Sequence, residues 1–134
     1  MPKRVLDVGN CGVDHGAIRG MLEKTFAAEV IQAHGPDDAL ALLRGQPFDL
    51  VLVNRKLDQD YSDGLEIIQQ IKADAKLAQV PCMLVTNHPE QQELAVAAGA
   101  VIGFGKKSLY ADVTRERLAT FLASGTPATS SASS

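Results

Sequence analysis

Read from the amino terminus, apolar residues fall first into short runs and then into helical spacing, and the alternation repeats along the chain. Arg4-Val5-Leu6-Asp7-Val8 reads as a short buried strand broken by one acid, and Ile18, Met21, Leu22 and Phe26 then follow helical spacing, with Asp14 as a cap. Glu29 to Ala33 is a second strand. Pro36-Asp37-Asp38 signals a helix start, with Ala39, Leu40 and Leu43 as its buried stripe, and Gly45-Gln46-Pro47 ends it. The run Leu50-Val51-Leu52-Val53 suits a strand covered on both faces, and it ends on Asn54. Asp63 caps a third helix bearing Leu65, Ile67, Ile68 and Ile71. Val80 to Thr86 is a fourth strand, Pro89 opens a helix that stops at Gly99, Val101 to Phe104 is a fifth strand, and a last helix runs from about Asp112 to Ala123.

Strands alternating with helices at crossover length predict an α/β fold: a three-layer α/β/α sandwich around a five-stranded parallel sheet. In such sheets ligands gather where strand tips and helix amino termini converge, so Asn54 stands in a functional place before any family is named. Residues 1–124 form the expected domain, and the Ser/Thr/Ala-rich stretch 125–134 reads as a disordered tail or linker.

Composition narrows the function. The chain has 134 residues, 46% hydrophobic, and a formal net charge of -3, with Lys and Arg scattered, which argues against nucleic-acid binding. No apolar run suits a bilayer and no signal-peptide core follows Met1, so the expectation is a cytoplasmic domain without membrane contact. Cys11 and Cys82 lie in no metal or redox spacing and are expected to be free thiols. Cys11, His34 and His88 all follow strands at one sheet edge, but strand order separates His34 from His88, and no metal site is assigned. Asp7 needs a partner if it is buried.

Several segments together resemble the response-regulator receiver domain, the CheY-like fold with strand order 2-1-3-4-5. AHGPDDALALLRGQPFDLVLV resembles the family's second strand tip, second helix and third strand, Asp63-Gly64 its Asp-Gly, VPCMLVT its fourth strand, and Gly99-Ala100 through Lys106 the stretch ending in its lysine. The resemblance covers residues 3 to 123. It implies a two-component or phosphorelay signalling role in which an acidic pair binds Mg²⁺, an Asp accepts a phosphoryl group, a Thr or Ser senses it and a Lys contacts it.

Here the acidic pair falls on Gly9 and Asn10 and the acceptor on Asn54, while Thr86 and Lys106 keep the other two positions. An amide is neutral and a poor nucleophile beside a carboxylate, and Mg²⁺ wants carboxylates, so phosphotransfer is expected to fail and Mg²⁺ binding to be weak or absent. The loop from Arg55 to Ser62 is longer than in the family, and no proline follows Lys106-Lys107. With Lys106 as the family lysine, Gly103 sits at the aromatic switch position; with Lys107, Phe104 does.

The expectation is a pseudo-receiver, not an enzyme, acting on a signalling partner or a fused output domain, with a homodimer as a further option. Asn54 is either a lock whose amide carbonyl accepts a hydrogen bond from Lys106 or Thr86, or a decayed site. The resemblance points to helix four, strand five and helix five as the contact face, with Leu94, Phe104, Tyr110 and Leu118 as candidates. The rivals are an unorthodox phosphoacceptor using Asp7, Asp58 or Asp60, and a small-anion module at the loop from Gly9 to Gly12.

Overall fold

In the computed structural model, which describes residues 2–123, the tail predicted over 125–134 lies outside the described residues. Strand β1 (Arg4–Val8) leads into α1 (Gly12–Phe26), β2 (Glu29–Ala33) into α2 (Pro36–Gly45), and β3 (Leu50–Asn54) into α3 (Leu65–Ala73). Strand β4 (Cys82–Val85), α4 (Pro89–Ala97), a short 3-10 turn (Lys106–Ser108) and α5 (Asp112–Leu122) complete the chain. The strands are parallel in the order β2-β1-β3-β4.

Two-residue periodicity divides the core. Leu6, Val8, Val51, Val53 and Leu84 point to one side of the sheet, against Ala39 and Leu43 of α2, Ile67, Ile68 and Ile71 of α3, and Ala95 of α4. Val5, Leu50, Leu52, Met83 and Val85 point to the other, against Ile18, Met21 and Leu22 of α1 and Leu118 and Leu122 of α5. All four apolar residues of β3 are fully buried, each contributing roughly 1.5–3 kcal/mol of transfer free energy. Burial on the α2, α3 and α4 side of the sheet pushes the Cys82 thiol up to about 11, while Cys11 is exposed and both are free.

The expected fifth strand is reduced to one parallel bridge between Val85 and Phe104. The cause is the buried side chain of Gln92 on α4, whose amide takes the place of a direct ladder bond. Its Nε2 donates to Leu84 O (2.9 Å) and Thr86 O (3.3 Å), and its Oε1 accepts the Gly103 N–H (2.9 Å). On either side the ordinary pairing survives, Val101 N to Cys82 O and Thr86 N to Phe104 O. Gly103 is required by proximity, because a Cβ there would stand 2.5 Å from Leu84 O.

Two of the four expected contact-face residues belong to the core. Phe104 is 2% exposed and Leu118 is fully buried, both packed on the α1/α5 side of the sheet. Leu118 lies on the stripe Thr114, Leu118, Leu122 that α5 turns inward, and Phe104 follows the alternation that brings Val85 to the same layer. Leu94 and Tyr110 are exposed.

Candidate functional site

Register brings the tips of β1 and β3 together: Val8 lies opposite Val53, so Gly9 and Asn54 emerge side by side at the carboxyl edge. Asn54, Thr86 and Lys106 line one pocket of about 190 Å³ with Arg55, Lys56, Val85, Asn87 and His88. Lys106 is the lysine of this pocket, and Lys107 lies instead in a larger groove between α4 and α5. No carboxylate lines the pocket; its charged groups are cationic.

Asn54 bonds as a donor, whereas the lock reading has its carbonyl accept from Lys106 or Thr86. Its Nδ2 donates to Lys56 O (2.6 Å) and Gly9 O (3.4 Å), tying the end of β3 to the loop after it and to the end of β1. Lys106 Nζ donates to Asp14 Oδ2 at 2.7 Å, because a carboxylate is a stronger acceptor for an ammonium than a neutral amide. The Lys106 ammonium in turn holds the Asp14 carboxyl below the usual carboxylate range. Asp14 is thus not the cap of α1; the cap position is Cys11, whose Sγ reaches Asp14 Oδ2 at 3.4 Å. Thr86 Oγ1 accepts the His88 N–H at 3.2 Å. Asp63 does serve the start of α3, accepting the Leu65 N–H at 2.9 Å.

The loop after β3 accounts physically for the glycine at position 9. Gly9 has φ +80°, and a Cβ on it would meet Leu57 Cδ2 at 2.4 Å and Leu57 Cα at 3.2 Å. Leu57 is 1% exposed, and the loop is fastened there by Asp58 N to Gly9 O (2.9 Å) and Leu57 N to Ser62 O (2.9 Å). Insertion and glycine therefore go together: the loop fills the space that a side chain at position 9 would take. Gly64 is fixed on the other side, since a Cβ there would lie 2.0 Å from Asn54 O.

Beneath this surface lies a buried cluster. Asp7 is fully buried in β1, and its two oxygens are held by Asn10 Nδ2 at 2.5 Å and His15 Nδ1 at 2.6 Å. Burial pushes the Asp7 carboxyl up from its ordinary value, and the bonds from His15 and Asn10 pull it back part of the way. Asp7 is bonded to these two residues and not to Lys106, whose ammonium goes to Asp14. Asn10 is fully buried and its Oδ1 has no partner among the described residues. His15 was legible in principle, since it precedes Ile18 and Leu22 on the inward face of α1, the face that meets Val5 and hence Asp7.

The remaining acids stand apart from the pocket. Asp58 Oδ2 lies 3.4 Å from His34 Nδ1, and Asp60 accepts the Ser62 N–H and hydroxyl at 3.0 and 2.6 Å, turning the loop back on itself. His88 Nδ1 is 3.8 Å from Glu90. Of the glycine-rich turn between β1 and α1, only Gly9 has a positive φ, and its carbonyl is engaged by Asp58 and Asn54.

This donor set does not fit a magnesium ion. Magnesium is held through one or two carboxylates, whereas none lines the pocket of Asn54, Thr86 and Lys106, Asp7 is bonded at both oxygens and Asp14 is paired with Lys106.

Comparison with known proteins agrees with the architecture. The chain superimposes on the Mn²⁺-bound form of the response regulator Rcp1 with a TM-score of 0.72 at 22% identity, covering 95% of this chain and 100% of that one. A putative response regulator from Chloroflexus aurantiacus gives 0.76 at 17% identity, over 91% and 98% of the two chains. The receiver domain of the sensor histidine kinase PA1611 from Pseudomonas aeruginosa, with magnesium coordinated in its active-site cleft, gives 0.74 at 19% identity, again over 91% and 98%. The family model described as the response regulator receiver domain matches residues 14–116. A match over that much of its length means that the chain belongs to the response regulator receiver domain family.

Proposed function

We propose that this receiver domain signals by protein contact, holding one conformation without taking up a phosphoryl group at position 54. The observation that carries the reading is Leu57 seated over Gly9, which fills the corner where an acidic side chain would have to stand. The Lys106–Asp14 ion pair supports it, because the lysine that would meet a phosphoryl group is tied to α1. The domain would then be a non-enzymatic element of two-component signalling, engaging a partner protein, a fused output domain or a second copy. Exposed Leu94 and Val96 on α4, Ile102, and Tyr110 and Val113 by α5 supply apolar surface for that contact. No helix among the described residues is long and apolar enough to cross a membrane; a cytoplasmic location is part of the proposal.

The test restores the acids. Asn54→Asp places one carboxylate at the edge and Asn10→Asp a second beneath it, beside Asp7, and magnesium titration by NMR is expected to shift amides around positions 10, 54 and 86 in the double variant but not in the parent. Adding Gly9→Asp is expected to destabilise the fold without strengthening magnesium binding, since that side chain would need both a strained φ and the space of Leu57. Comparable magnesium shifts in the parent would refute the proposal.

A further inference from the structure

We propose that the groove between α4 and α5 binds a small amphipathic anion, an aromatic or other apolar body carrying one sulfonate, carboxylate or phosphate group. The inference rests on the contact reading, because the groove lies within the proposed contact face. Its volume is about 770 Å³, within the range of roughly 300–1,000 Å³ typical of small-molecule sites. Pro89, Val96, Ala97, Ile102 and Phe104 supply apolar walls and floor, and Val96 and Ile102 are 46% and 48% exposed, more than a packed core would leave open.

The charge of the groove opposes that of the chain. Lys107 and Arg117 line it against one carboxylate, Glu93, in a protein whose formal net charge is -3. Among the described residues neither Lys107 nor Arg117 forms an ion pair. Arg117 donates Nη1 to Gly103 O at 2.7 Å, which steadies the guanidinium while its other N–H groups remain to meet an acceptor. The site is also preformed. The Gln92 amide joins α4 to β4 and to Gly103, and Lys107 N donates to Asn87 Oδ1 at 3.1 Å, so little ordering is left for a ligand to impose. An anion with an apolar body satisfies walls and rim together.

The probe is 8-anilinonaphthalene-1-sulfonate, with N-phenyl-1-naphthylamine as the analogue lacking the sulfonate. Fluorescence titration of the folded protein is expected to show saturable one-site binding of the sulfonate. Lys107→Gln is expected to weaken it about fivefold, the loss of one charge-assisted contact, and to leave the uncharged analogue unchanged. Ala97→Trp, a surface substitution that fills the groove, is expected to abolish both. Amide shifts should be confined to residues 86–108 and Arg117. Non-saturable binding, binding that survives Ala97→Trp, equal affinity for the Lys107→Gln variant, or shifts elsewhere would overturn the assignment, as would displacement of the probe only by a protein segment and by no small anion. Such a failure leaves the contact reading intact, since that is decided by magnesium and phosphoryl uptake.

Discussion

Replacing His15 with alanine is expected to remove roughly 1–3 kcal/mol of stability near neutral pH, the loss that follows when a buried polar group is left without one of its hydrogen-bond partners. Asp7 is fully buried, and without His15 only Asn10 would hold its carboxylate. The effect depends on pH with a definite sign. Burial raises the Asp7 carboxyl above its ordinary 3.8 in the folded chain, and removing the His15 bond lets it rise further. Between the unfolded and folded values the folded chain retains a proton that the unfolded chain has lost, so stability falls as pH rises through that window and is level above it. The deficit of His15→Ala should therefore be smaller near pH 4 than at pH 7. Asp7→Val with His15→Leu should recover most of it, because an apolar pair of similar volume needs no charge compensation. Urea unfolding across that range checks all three; a loss equal at both ends would mean that Asp7 is not the group responsible.

The second large effect is expected at Phe104. Truncation to alanine should cost about 3–5 kcal/mol, as for a buried aromatic side chain in a packed layer, whereas Leu94→Ala or Tyr110→Ala should stay within about 0.5 kcal/mol because both are exposed. Phe104 also carries the one bridge of its segment, its carbonyl accepting the Thr86 N–H at 3.0 Å. Hydrogen exchange at Thr86 should consequently rise in Phe104→Ala and not in the two surface variants. Equal destabilisation by all three would contradict this placement of the segment.

The legible parts of the chain were those where one physical rule dominates. The unbroken run Leu50 to Val53 announced a doubly covered strand, and register then placed Asn54 beside Gly9. Pro36 marked the first turn of α2, where Asp38 also accepts the Gly35 N–H at 2.8 Å. What stayed hidden depended on side chains meeting across elements. Gln92 reads as an ordinary polar helix residue, yet its amide interrupts the ladder and shortens the fifth strand to a bridge. Asp14 has the chemistry of a cap and sits one turn too far along, where Lys106 reaches it. A shift of one residue between Gly103 and Phe104 decides which side chain enters the core, and alternation alone cannot set it in a segment with two glycines. The inserted loop was visible as extra length, but that Leu57 would occupy the space over Gly9 follows only from the packed chain.

The central claim, that this domain signals without taking up a phosphoryl group, is tested most directly by intact mass. The parent and the Asn10→Asp/Asn54→Asp variant are incubated with acetyl phosphate and Mg²⁺, and the mass of each is read before and after. The account predicts no phosphoryl adduct on the parent. A stoichiometric adduct on the parent would contradict it, and would show that another carboxylate of this chain has taken over the acceptor's part.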